Sequence, residues 1–264
     1  MSGPSLFLGK ATDYARFRID YPESVVDAAL QSVGVVRGDV VADLGSGTGL
    51  LSRWFLERGT RVFGVEPDPG MRHVAERTLG RFGDSFTSID GTAERTSLSA
   101  SSVTVVAAGN AFHYFDPRAA RMEVERILQR GGRVLIVGHD SASTPNDFMQ
   151  AYLAFVASAA PPETGVFHQP DRVSGAVESF FAGSRRQEED MGDHTFHLTW
   201  DALRGRFLST FGGSSRGRST TRGGDRPPLG CVPAVREGGR RPIPASMAVH
   251  VVCQLERTSV FGEP

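Results

Sequence analysis

The run Asp43-Leu44-Gly45-Ser46-Gly47-Thr48-Gly49 sets three glycines at alternate positions behind an acid. Gly45 and Gly47 lack a Cβ and tolerate positive φ, so a ligand can approach the backbone between them closely. A helix opening directly afterwards would aim unpaired N–H groups and a partial positive charge at that ligand. A small anionic or polar cofactor suits such a turn. Asp43 adds a partner for an ammonium group, and Glu66, 21 residues beyond Gly45, is spaced to accept both hydroxyls of a ribose. Together these residues describe a nucleoside with an amino-acid-like tail. The plainer reading is a tight turn in which Asp43 only caps. Leu50 stands where a nicotinamide-type fingerprint asks for glycine, which opposes a dinucleotide.

Two histidines are candidates for acid-base work. His113, in Phe112-His113-Tyr114, and His139, followed by Asp140, both titrate near neutral pH. Each has a structural alternative, since a histidine among aromatics is often simply packed. His194 and His197 with Asp193 have a spacing that metals use, but no further ligand cluster stands nearby, and no metal is expected.

Elements of alternating period must position these groups. Val40 to Leu44 reads as a strand, Leu50 to Arg58 as a helix ended by Gly59, and Arg61 to Val65 as a second strand. Asp68-Pro69 and Asp116-Pro117 each open a helix with a cap and a proline at the first position; the second runs to Arg130. Phe86 to Ile89, Val103 to Ala107 and Val134 to Val137 complete five strands, and Pro22 to Val33 is a helix over the sheet. The expected fold is α/β, a doubly wound, Rossmann-like, mostly parallel sheet with helices on both faces. Beyond Asp140 the pattern thins into helices over Asp147 to Ala157, Val173 to Phe181 and Thr199 to about Leu208. Arg185 to Asp190 reads as a solvated loop.

The strings Asp43 to Gly49, Val65-Glu66-Pro67-Asp68-Pro69-Gly70-Met71, Gly91-Thr92-Ala93-Glu94 and Ala111 to Asp116 resemble the class I S-adenosylmethionine-dependent methyltransferases. More narrowly they resemble the small-molecule group that includes ubiquinone/menaquinone-pathway and trans-aconitate-like enzymes. The likeness spans residues 7 to about 210, including Tyr14 to Arg18, Tyr21-Pro22 and Leu198 to Arg206. It implies S-adenosylmethionine as cofactor. Asp43, Gly45, Ser46 and Gly47 would hold its methionine part and Glu66 its ribose. Pro67, Asp68, Ala93 and Glu94 would border the adenine, while Thr92 replaces an aspartate found in many relatives. Tyr14 and Arg18 would close over the carboxylate, or serve to pack the N-terminal helix. Asn110 would lie where the methyl group and the acceptor meet. The acceptor is read as a small molecule, with a noncatalytic cofactor-binding protein and a dinucleotide-dependent oxidoreductase as alternatives.

Composition bounds the rest. The chain has 264 residues with a net charge of −1, which opposes an electrostatic nucleic-acid binder. It shows no membrane-length apolar run and no signal-peptide pattern, so a cytoplasmic location is expected, as a monomer or a homodimer. Two cysteines exclude a disulfide framework. The expected division is a methyltransferase domain over 1–210, with cofactor core 22–140 and acceptor cover 141–210. An irregular segment over 211–245 and a terminal strand and tail over 246–264 follow. The middle segment carries eight Gly, seven Arg and five Pro. Such a composition shift suggests an insertion or a reading-frame change, the latter leaving the sheet edge poorly closed, with Ala248 to Val252 as a last strand.

Overall fold

The computed structural model describes residues 11–18, 20–141, 170–182, 187–199 and 243–254, with residues 150, 154, 184, 201–203 and 205. Its strands are β1 (Val40–Leu44), β2 (Arg61–Val65), β3 (Phe86–Ile89), β4 (Val103–Gly109), β5 (Leu128–Ser141), β6 (Gln187–Leu198) and β7 (Ile243–Gln254). They form one seven-stranded sheet in the order β3-β2-β1-β4-β5-β7-β6. The pairs through β3-β2-β1-β4-β5 are parallel. β7 is antiparallel to both β5 and β6.

The helices are α1 (Ala11–Phe17), α2 (Glu23–Ser32), α3 (Leu50–Glu57), α4 (Pro69–Leu79), α5 (Pro117–Ile127) and α6 (Pro170–Phe180). Strand residues alternate between two cores, as the two-residue repeat requires. Val41, Val62, Val105, Ala107 and Leu135 face α2 and α3, where Val26, Leu30, Phe55 and Leu56 are buried. Ala42, Leu44, Val106, Val134 and Ile136 face α5 and α6, where Val124, Ile127, Val177 and Phe180 are buried. Strand order reverses at β1, which lies between β2 and β4. In an open parallel sheet, that reversal leaves a crevice at the carboxyl ends of the strands, where loops leave in opposite directions.

The caps read from the sequence form. Asp68 accepts from Met71 N–H at 2.9 Å, and Asp116 accepts from Arg118 and Ala119 N–H, both at 3.0 Å. Several boundaries differ. α5 stops at Ile127 rather than Arg130, because Leu128 is already paired with Val103 in β5. The stretch read as a solvated loop up to Asp190 is, from Gln187 on, strand β6. The last strand is longer than Ala248 to Val252 and starts at Ile243, inside the segment expected to be irregular. The sheet edge expected to be poorly closed is continued by β7 and β6, so that expectation is corrected. The helix expected over 147–157 lies outside the described residues except at 150 and 154, as does 206–208 of the helix expected after Thr199. Among the described residues, no helix is long and apolar enough to cross a membrane.

Candidate functional site

The turn from Leu44 to Leu50 lies at the crevice. Gly45, Gly47 and Gly49 have φ of +66°, +56° and +85°, a region costly to residues with a Cβ. The main chain folds onto the next strand: Gly45 and Ser46 N–H both donate to Val65 C=O, at 2.8 and 3.1 Å. The glycines do different work. A Cβ on Gly45 would lie 2.6 Å from Ala111 Cβ, and one on Gly49 would lie 2.6 Å from Leu79 Cδ1. A Cβ on Gly47 would meet nothing within 4 Å. Gly45 and Gly49 therefore serve packing, whereas the bare backbone at Gly47 faces open space.

Two acids flank the turn. Asp43 is buried, with 1% exposure. Its Oδ2 accepts from Ser52 Oγ at 2.6 Å, while its Oδ1 has no hydrogen-bond partner among the described residues. Burial pushes its carboxyl up to about 7, against the opposing pull of the Ser52 hydrogen bond. Glu66 directly follows β2 and is also buried. It accepts from Gly47 N–H at 3.0 Å and from Asp68 N–H at 2.9 Å, one on each oxygen. Burial raises its pKa, opposed by those two bonds. A carboxylate oxygen has two lone pairs, so each Glu66 oxygen keeps an acceptor position.

The other predicted residues surround this pair unequally. Pro67 is exposed beside Glu66, and Ala93 is buried in the loop after β3. Glu94 accepts from Asp116 N–H at 2.9 Å, which ties that loop to the start of α5. Thr92, standing in for an aspartate, exchanges main-chain bonds with Arg95 at 3.1 Å. Asn110 follows β4 with φ of +52°, and its N–H donates to Val137 C=O at 2.9 Å. His113 is half-buried in a 3₁₀ turn, Phe112–Tyr114, its ring 4.0 Å from that of Tyr114. That turn abuts the glycine loop: besides Ala111, the Phe115 ring would lie 3.5 Å from a Cβ on Gly45. His139 is in β5 opposite Val249, with Asp140 opposite Ala248, and the side chains of both lie outside the described residues.

Helix α1 brings Tyr14 and Arg18 to the same end of the molecule. The Arg18 guanidinium lies 5.2 Å from the centre of the Tyr14 ring. α1 abuts the start of α4, since a Cβ on Gly70 would lie 3.6 Å from Ala11 Cβ. Tyr14, Arg18 and Glu66 all act electrostatically on the phenol of the exposed Tyr114. Two functional residues were missed by sequence reasoning. Ser52, the hydrogen-bond partner of Asp43, is betrayed only by being a polar residue in the buried stripe Leu51-Ser52-Phe55-Leu56. Tyr21 stands in the Tyr21-Pro22 motif, but nothing local in the sequence indicates that its hydroxyl reaches Asn110.

The doubly wound sheet thus carries, at its reversal point, a glycine turn and a buried acid whose Oδ1 has no hydrogen-bond partner among the described residues. Residues 42–136 match the family described as "Methyltransferase domain". An uncharacterized methyltransferase of Mycobacterium tuberculosis is 37% identical over 134 residues, covering 50% of this chain and 52% of that protein. One from Geobacillus thermodenitrificans is 31% identical over 112 residues, covering 41% of this chain and 51% of that protein. The chain thus spans about half the length of the curated relatives it matches. A solved structure of a putative type II methyltransferase from Anaeromyxobacter dehalogenans has the same fold, with a TM-score of 0.59 at 20% identity, covering 92% of this chain and all of that one. Residues 42–136 are thus similar to a methyltransferase domain, on a fold shared with a solved methyltransferase structure.

Proposed function

We propose that the protein transfers the methyl group of S-adenosylmethionine to a small organic acceptor. The observation that carries this reading is the cradle formed by the open backbone at Gly47, the unpartnered Asp43 Oδ1 and the two-oxygen acceptor Glu66. The residues suit the cofactor's chemistry. Asp43 Oδ1 takes the ammonium group, and the main chain of Gly45, Ser46 and Gly47 lines the methionine part. Glu66 accepts from the two ribose hydroxyls through its remaining lone pairs. Pro67, Ala93 and Glu94 border the adenine, which meets main chain rather than an aspartate at Thr92. Tyr14 and Arg18 close on the carboxylate.

When bound, the cofactor would supply an electrophilic methyl on a sulfonium, to be taken by the acceptor atom while the S–C electron pair stays with sulfur. Charge is dispersed in that displacement, so the protein contributes mainly alignment and exclusion of water. Asn110 borders the line of transfer. His113, in the turn against Gly45, takes the proton of a hydroxyl or carbon acid acceptor, with His139 as the other candidate base.

Isothermal titration with S-adenosylmethionine, S-adenosylhomocysteine and NAD, followed by turnover against phenols, quinones and carboxylates, tests the reading. Binding of both sulfur nucleosides and methylation of one acceptor class are expected. Binding of NAD alone would sink the cofactor assignment. Donor binding without turnover on any class would leave a cofactor-binding protein without the proposed activity.

A further inference from the structure

The hydroxyl of Tyr21 lies across the sheet end from the glycine turn, at Asn110. Asn110 Nδ2 donates to Tyr21 Oη at 2.9 Å, joining residues 89 positions apart. Asn110 holds φ of +52° immediately after β4, a conformation that asparagine tolerates at some cost and that needs outside support. The neighbouring Gly109 leaves room for this contact, since a Cβ there would lie 2.7 Å from Tyr21 Oη and 3.0 Å from Leu51 Cδ2. Tyr21 is itself fixed. It is 5% exposed, and its N–H donates to Asp20 Oδ1 at 2.9 Å. Asp20 in turn pairs with Arg53 and accepts from Trp54 Nε1 at 3.2 Å, both on α3, the helix that leaves the glycine turn. Burial pushes the Tyr21 phenol up, so the hydroxyl stays neutral wherever the enzyme would work.

We infer that Tyr21 is a positioning residue for the cofactor site: through its hydrogen bond it fixes the side chain of Asn110, and so couples the segment that carries the α1 cover to the end of β4. This rests on the proposed cofactor reading. Tyr21 is buried in the same core cluster as Leu51 and Phe55 of α3 and meets Asn110 through its hydroxyl oxygen, so Tyr21→Phe removes that hydrogen bond and keeps the ring. Asn110→Gly removes the other partner and suits a positive φ better than asparagine does.

The test is calorimetric titration of S-adenosylhomocysteine into the full chain, the two single variants and the double variant, with melting temperatures alongside. Tyr21→Phe is expected to bind more weakly by up to about tenfold, the ceiling set by one hydrogen bond of ordinary strength. In the Asn110→Gly background, Tyr21→Phe is expected to cause a clearly smaller loss, because the amide it would position is gone. A purely packing role would leave the affinity of Tyr21→Phe unchanged, and independent roles would make the two losses multiply. Either result overturns the inference. A wild-type protein that binds no S-adenosylhomocysteine refutes the cofactor reading first, and this assignment falls with it.

Discussion

Gly45 and Gly47 share a left-handed backbone but not a neighbourhood, and substitution by alanine should separate their roles. At Gly45 the new methyl meets Ala111 Cβ at 2.6 Å on top of the strain of φ +66°, and Gly45→Ala should lose about 3 kcal/mol of stability. At Gly47 the methyl enters open space, so Gly47→Ala should lose only about 1 kcal/mol, the cost of the conformation itself. It should nevertheless bind S-adenosylhomocysteine at least tenfold more weakly, because its methyl occupies the ligand's approach. Urea denaturation and calorimetry on both variants would show this, and equal stability losses would contradict it. The carboxyl of Asp43 gives a pH signature. It is pushed up to about 7 in the folded protein from an ordinary value of 3.8, so the native state holds a proton that the unfolded state releases between those limits. Its contribution to stability is complete below about pH 4 and is lost as pH rises through 7. Asp43→Asn lacks that loss, so its melting temperature relative to wild type should rise by roughly 5–10 °C between pH 5 and 8 in the absence of ligand. A constant difference would show that the carboxyl is ionised throughout. The glycines and acids were legible because they are local in sequence. Ser52 and Tyr21 were not, because their roles depend on side-chain oxygens meeting partners 9 and 89 positions away.

At the scale of elements, the loop after β3 is held by α5 from below. Glu123 accepts from both the N–H and the hydroxyl of Thr96, at 2.8 and 2.6 Å, and pairs with Arg126 at 2.7 Å. The Arg126 guanidinium holds its carboxyl well below the ordinary range, at about 2. A depressed acid stabilises the fold above its unfolded value of 4.5 and loses that contribution as pH falls through the folded one. Glu123→Gln should therefore be less stable than wild type at pH 7, and the gap should narrow between pH 4 and 2. Denaturation midpoints at pH 7 and 3 measure it, and a gap that widened on acidification would refute the assignment. Since Thr96 closes the loop that carries Ala93 and Glu94, the same variant should weaken nucleoside binding modestly at neutral pH. Elements with Asp-Pro openings were readable to the residue, because a cap and an early proline are local instructions. The end of α5 was not. Its helical pattern continues past Ile127 in the sequence, and it is Leu128 pairing with Val103 that stops it.

For the whole molecule, the decisive question is whether β7 is structural. It lies between β5 and β6, with Val134 to Ser141 opposite Gln254 to Met247 on one side and the long β6 register on the other. The core of β7 was legible as the apolar run Ala248 to Val252, but its place in the sheet was not, because it pairs with β5 more than a hundred positions earlier. β6 was misread because Gln187-Glu188-Glu189-Asp190 is too polar to resemble a strand, yet charge suits the last strand of a sheet, where an apolar edge invites aggregation. Removing residues 243–264 would strip β6 of its partner and expose the edge of β5, an apolar stretch that includes Val134, Leu135, Ile136 and Val137. The truncated chain should lose its cooperative melting transition and elute as aggregates on size exclusion, whereas Arg121, which links α5 to the carbonyls of Phe180 and Ala182, would still hold α6. A soluble truncated chain with wild-type melting temperature and wild-type binding of S-adenosylhomocysteine would show that the five parallel strands suffice. The pairing of β7 would then add nothing to the fold that carries the site.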